Sequence, residues 1–269
     1  MNATAIPPAL HEAPGDMLIE ERRYHLLSRI QNEGRILVGD ISDELGVSKI
    51  TIRKDLDALQ SRGLIQRTHG GALRLKGGAL TDPALNEKEM LHHKEKERIA
   101  AAAVKMVEEG QCVILDSGTT TTAIARALRR LQRLTVITNA LNIAADLSGT
   151  DFEIILTGGS LRKNSSSLVG PFAEEVLREM HADILFMGVD GFDPKVGVTT
   201  PNVLESRVNR AMVKAARKLV VVCDSTKFNR QSLALIVAPH EIHTVITDTN
   251  LSSRDRDLLE NAGIEVQLV

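Results

Sequence analysis

Apolar residues recur in two rhythms along the chain, and the change between them divides it. Up to about residue 75 the spacing is helical. Leu26, Leu27 and Ile30 share one face of a stretch from Ile19 to Asn32, which Gly34 ends. Ile41 and Leu45 mark a short helix over Val38–Leu45, followed by Gly46. Ile52, Leu56 and Leu59 mark a third helix, with Ser48 as its N-cap, Ser61 near its end and Gly63 as its C-terminal stop. In LIQRTHGGALRL (64–75), two short extended runs flank His69-Gly70-Gly71, which predicts a hairpin.

Beyond residue 95 the rhythm changes to short β-branched runs: CVILD (112–116), LTVITN (134–139), FEIILTGG (152–159), DILFMGVDG (183–191), KLVVVCDS (218–225), HTVITD (243–248) and IEVQLV (264–269). Amphipathic stretches separate most of them. The alternation predicts an α/β domain, an open parallel sheet with helices on its faces. Residues 76–95 mix Gly, Pro and charge and read as a linker, and residues 1–16, rich in Pro and Ala, as a disordered arm. The expected organisation is an arm (1–16), a helix-turn-helix module with a hairpin wing (17–75), a linker (76–95) and an α/β domain (96–269).

Composition narrows the function. Apolar residues are 43% and charged residues 25% of the chain, as in ordinary globular proteins. No run of about 18 apolar residues predicts a membrane span, and the N-terminus lacks the basic and apolar regions of a secretion signal. A cytoplasmic protein is expected. Cys112 and Cys223 sit inside apolar runs and read as core residues. With no Trp, one Tyr and five Phe, stacking of splayed-out bases is an unpromising route to nucleic acid. The net charge of −2 also argues against nucleic acid until its distribution is considered. Between Ser48 and Lys76 there are seven bases and two acids, a local excess that duplex phosphates would meet.

Two helices joined by a tight Gly-containing turn form the helix-turn-helix pattern. On the third helix Ile50, Arg53, Lys54 and Asp57 fall opposite the apolar face. Arg53 suits guanine, Lys54 a phosphate and Ile50 a thymine methyl. Ser48, Lys49 and Thr51 are placed for backbone phosphates, and Arg67 and His69 on the wing for a phosphate or a groove edge.

The densest polar motif is DSGTTTT (116–122), between a strand and the helix IARALRR. A turn at Gly118 aims the hydroxyls of Ser117, Thr119 and Thr120, with free helix N–H groups, at one point suited to a phosphate. Asp116 ends the strand. The spacing is not that of a nucleotide-binding Lys loop. Asn139, Gly158, Gly159, Asp190 and Lys227 also follow strands, where open parallel sheets bind ligands. Glu205 opens a helix, where capping and ligand contact are equally fitting roles. His92-His93 and His240/His243 lack partners at metal-ligand spacing, and nothing calls for a cofactor.

The run GDISDELGVSKITIRKDLDALQSRGLIQRTHGGA, followed in order by LDSGTTT, TGG, GVDG and DSTKF, resembles the DeoR family of bacterial sugar-metabolism repressors. VILDSGTTT, GVDGFD, GVTTPN and CDSTKFNR are most similar to its N-acetylgalactosamine and amino-sugar regulators. The resemblance implies a winged helix-turn-helix that binds double-stranded operator DNA as a homo-oligomer, dimer or tetramer. It also implies a C-terminal domain resembling ribose-5-phosphate isomerase that binds a phosphorylated sugar, with Ser117–Thr120, Gly188–Gly191 and Lys227 in the pocket. The rival reading is an aldose–ketose isomerase using Asp190, Glu205 and Lys227, for which a fused DNA-binding module has little use.

Overall fold

The computed structural model describes residues 19–61, 65–74 and 82–269. The expected arm, Gly63 and the start of the expected linker lie outside these residues. The chain divides into two compact units, Met1–Lys76 and Gly77–Val269.

The first unit contains α1 (Ile19–Glu33), β1 (Arg35–Leu37), α2 (Val38–Leu45), α3 (Lys49–Ser61), β2 (Ile65–Thr68) and β3 (Gly71–Arg74). Its core is the set that the helical spacing marked: Leu26, Leu27, Ile30, Ile41, Leu45, Ile52, Leu56 and Leu59 are all buried. Gly46 takes the left-handed conformation after α2, with φ of 65°, a backbone cheap for glycine alone.

β1 had no counterpart in the sequence reading. Three residues with a single buried side chain, Ile36, give no alternation to detect. The strand forms because β3 offers it an edge, with Ile36 opposite Ala72, and the antiparallel order is β1-β3-β2. Gly71 makes this approach feasible, because a Cβ there would lie 1.9 Å from the Ile36 carbonyl oxygen. Asp55, one of the two acids counted between Ser48 and Lys76, is 2% exposed. It accepts hydrogen bonds from Arg22 Nε at 2.6 Å and Arg23 Nε at 3.0 Å, tying α3 to α1.

The second unit begins with structure where a linker was expected: α4 (Leu85–Met90) and α5 (His93–Val104). There follow β4 (Cys112–Leu115), α6 (Thr119–Leu128), β5 (Thr135–Thr138), α7 (Leu141–Leu147), β6 (Glu153–Leu156), β7 (Ser160–Arg162), β8 (Ser167–Val169), α8 (Pro171–Arg178), β9 (Ala182–Met187), β10 (Gly191–Asp193) and β11 (Gly197–Thr200). The unit ends with α9 (Val203–Ala215), β12 (Ala216–Val222), β13 (Ala234–Val237), β14 (Thr244–Thr247), α10 (Ser253–Asn261) and β15 (Glu265–Leu268).

All seven expected β-branched runs become strands of one parallel sheet, in the order β15-β14-β12-β9-β4-β5-β6. Successive side chains alternate between its faces. Ile114, Leu185, Met187 and Val221 join one core with α8, α9 and α10. Val113, Leu115, Phe186, Val220 and Val222 join the other with α5, α6 and α7. Burial on both faces explains why the strands read as continuous apolar runs. Cys223 is buried as expected, whereas Cys112 at the start of β4 is only half-buried. The three- and four-residue strands of the small antiparallel sheets (β7-β8 and β10-β11-β13) were not legible.

In the Gly71→Ala variant the new methyl must displace β1 from β3. A loss of about 1–3 kcal/mol from the first unit is expected, the usual range for overpacking, read as a lower denaturation midpoint in that unit with the second unit's unchanged. Equal midpoints for both proteins would show that β1 does not depend on this approach.

Candidate functional site

The recognition surface rests on α3. Ser48 caps it: its hydroxyl accepts from the Thr51 amide at 3.1 Å and pairs with the Thr51 hydroxyl at 2.9 Å. Ile52, Leu56 and Leu59 turn inward, while Lys49, Ile50, Arg53 and Lys54 are exposed. Ile50 is 64% exposed. His69 is exposed at the turn between β2 and β3. Arg67 departs from its expected role. Its Nε donates to Asp57 Oδ1 at 2.9 Å and its Nη1 to the Gly71 carbonyl at 2.6 Å. It therefore clamps the wing to α3 rather than facing outward.

In the second unit the chain leaves β4 toward β5 on one side and later adds β9 on the other. The strand order reverses there, and the two carboxyl-end loops border a cleft. Asp116–Thr120 leads from β4 into α6, and Gly188–Asp190 follows β9. The loops approach so closely that a Cβ on Gly118 or Gly188 would lie 3.3 Å from the other's Cα. The cleft is lined by Asp116, Ser117, Gly118, Thr119, Thr120, Asp190, Glu205 and Lys227. It is completed by side chains the sequence reading did not single out: Leu85, Lys88, Lys96, Ser165, Thr200 and Asn209.

Three carboxylates and three ammonium groups thus meet in one cleft. Asp116 Oδ1 accepts from the Gly118 amide at 3.0 Å and the Thr121 hydroxyl at 2.8 Å. Burial dominates these bonds and pushes its pKa up to about 7. Asp190 is half-buried, and this desolvation favours its neutral form, but the charges of Lys88 and Lys227 outweigh it and hold its pKa below the usual value. Lys88 Nζ donates to Asp190 Oδ1 at 2.6 Å. The Lys96 pKa falls to about 8, first through burial and then through repulsion by Lys227. Lys96 Nζ donates to the Leu91 carbonyl at 2.6 Å and also to the Lys88 carbonyl.

Glu205 does not cap α9. Asn202 does, accepting from the Leu204 and Glu205 amides at 3.0 Å. The Glu205 carboxylate instead accepts from Arg162 Nη1 and the Ser167 hydroxyl, each at 3.1 Å.

Three expected residues lie away from the cleft. Asn139 is fully buried and its Nδ2 donates to the Leu168 carbonyl at 3.1 Å, so it ties β5 to β8. Gly158 and Gly159 have φ of 73° and 111° in the turn toward β7. A Cβ on Gly159 would meet the Val169 carbonyl oxygen at 2.6 Å, so packing against β8 demands this glycine. A polar residue after a strand looks alike in sequence whether it faces ligand or a neighbouring hairpin. Lys88 and Lys96 were missed for the opposite reason, since in NEKEM and KEKE they resemble solvated charge.

Comparison with known proteins agrees in both units. The model of the DeoR-like helix-turn-helix domain matches residues 22–77, and that of the DeoR C terminal sensor domain matches residues 91–249. A candidate aga operon transcriptional repressor of Escherichia coli O157:H7 is 41% identical over 93% of each chain. The HTH-type transcriptional regulator GlpR of Haloferax volcanii is 38% identical over 93% of this chain and 98% of its own. Among solved structures, ribose 5-phosphate isomerase A of Methanocaldococcus jannaschii aligns with 51% of this chain and 54% of its own, at 18% identity and a TM-score of 0.38, too distant to bear on the cleft's chemistry. With the two units matched in order, and relatives aligned over nearly the whole length, the chain belongs to the DeoR family of DNA-binding transcription regulators.

Proposed function

We propose that this regulator represses a carbohydrate-use operon, and that a phosphorylated amino sugar bound in the cleft weakens its hold on operator DNA. The observation that carries the reading is the composition of the cleft at the β4/β9 reversal: the hydroxyls and helix N-terminus of Ser117–Thr120 beside Lys88, Lys96 and Lys227, facing Asp190 and Glu205. The helix end and ammonium groups suit a phosphate. The carboxylates suit sugar hydroxyls. The aga operon of the Escherichia coli relative supports the choice of sugar. On DNA, α3 lies in the major groove with Ile50 and Arg53 toward base edges, and Ser48, Lys49, Thr51, Lys54 and His69 toward phosphates or a groove edge. Paired half-sites call for a homo-oligomer, dimer or tetramer, acting in the cytoplasm.

The test is a gel shift on DNA upstream of the protein's own gene cluster, with and without a panel of sugar phosphates. Binding that N-acetylgalactosamine 6-phosphate weakens is expected. Conversion of any of these compounds to an isomer would overturn the reading in favour of an enzyme. Arg53→Ala should lose about 1–3 kcal/mol of preference for operator over scrambled DNA, the worth of a bidentate base contact, and an unchanged preference removes Arg53 from base readout. Ser117→Ala combined with Thr119→Ala should keep DNA binding and abolish the sugar response, whereas a retained response moves the ligand elsewhere.

The cleft also sets a pH dependence. Asp116 is mostly neutral below pH 7 and gains a negative charge above it, beside the expected phosphate. Lys96 loses its positive charge as pH rises through about 8. Both changes disfavour an anion, while the ligand's phosphate is already mostly dianionic above its own pKa of about 6. Calorimetric affinity for N-acetylgalactosamine 6-phosphate should therefore fall between pH 7 and pH 9, and a flat profile would exclude both groups from contact with the phosphate.

A further inference from the structure

α4 belongs to the wall of the cleft, although it lies where the sequence suggested a linker. Leu85 and Lys88 line the cleft directly. The segment is fastened to the sensor unit mainly through side chains that line or adjoin the cleft. Lys88 donates to Asp190, with Asp82 Oδ1 3.6 Å from the same ammonium. Arg162 bridges Asp82 and Glu205. The Leu85 amide donates to the Asn164 carbonyl at 2.8 Å, and Asn164 Nδ2 to the Asp82 carbonyl at 2.8 Å. On the far side Glu89 pairs with Arg126 of α6 at 2.8 Å. Of the cleft carboxylates that could take a sugar hydroxyl, Asp190 is thereby held directly by Lys88, and Glu205 is linked to Asp82 through Arg162. In sequence only residues 75–81 separate this segment from β3 of the wing.

We propose that residues 82–91 form an effector-responsive strap. Lys88 contacts the bound sugar phosphate, and ligand binding pins the strap to the sensor unit. The inference rests on the cleft being the sugar-phosphate site. The direction follows from electrostatics and linkage. An added phosphate brings negative charge to the cleft that Lys88 lines, so it strengthens the hold on Lys88. A ligand that touches the docked strap and cannot touch an undocked one must stabilise docking by the same free energy that docking contributes to its binding. The shared carboxylates make the strap sensitive to the cleft's contents. A purely apolar docking surface would be indifferent to them.

The test is amide hydrogen exchange on the full-length protein, with N-acetylgalactosamine 6-phosphate as the probe, alongside calorimetry and the gel shift. In the wild type the probe should slow exchange over residues 82–91 about tenfold, within the ordinary range of coupling between sites. Lys88→Met should bind the probe more weakly, and at concentrations raised to saturation should still hold it through the Ser117–Thr120 loop and Lys227, as protection of residues 116–120 would show. It should lose the protection of 82–91 and the effect of the probe on DNA binding. Lys88→Arg, which keeps the charge, should recover both. Protection at 116–120 without protection at 82–91 in the wild type overturns the strap alone, as does a Lys88→Met protein that answers the probe like the wild type. If the wild type shows neither heat of binding nor protection at 116–120, the sugar-phosphate reading fails and the strap falls with it.

Discussion

The sensor unit is organised by the reversal of strand order at β4. Because β5 and β9 flank this strand, the polypeptide leaving β4 and the polypeptide leaving β9 turn to opposite faces of the sheet. Their loops touch at Gly118 and Gly188, and the first turn of α6 is left beside the cleft they line. The backbone amides of a helix start need partners, and the packing of Gly118 against Gly188 leaves no room for side chains from either residue to fill the space. What remains is a polar concavity at the carboxyl ends of β4 and β9.

Charge in that concavity is costly to bury unless paired, and the chain meets the requirement by pairing across distant segments. Asp190 comes from the loop after β9 and Lys88 from α4, 102 positions apart. Glu205 comes from α9 and Arg162 from β7. Such pairs balance part of the charge in the cleft. They also connect its occupancy to the segment that leads out of the unit, which a cleft built from one loop would not do.

The DNA-binding unit solves a different problem with fewer residues. A domain this small has little core to spare, so polar clamps supplement it: Asp55 holds α3 to α1, and Arg67 holds the wing to α3. These clamps draw charged groups inward from the surface that composition suggested for DNA. Lys49, Ile50, Arg53 and Lys54 remain outside on a helix whose orientation the clamps fix.

From the sequence alone came the elements whose signal is periodic and long enough to repeat. The three helices around Leu26, Ile41 and Ile52, all seven strands of the parallel sheet, and the hydroxyl-rich start of α6 were legible because burial imposes spacing on the residues that supply it. Pairing imposes no such spacing. β1 exists because β3 presents an edge to Ile36. Asn139 and Gly159 look like ligand loops and instead pack against β8, while Gly158 turns the chain toward β7. Lys88 and Lys96 look like solvent-facing charge and enter the cleft. Each of these depends on what lies across from a residue in space, and only the tertiary structure brings those partners together.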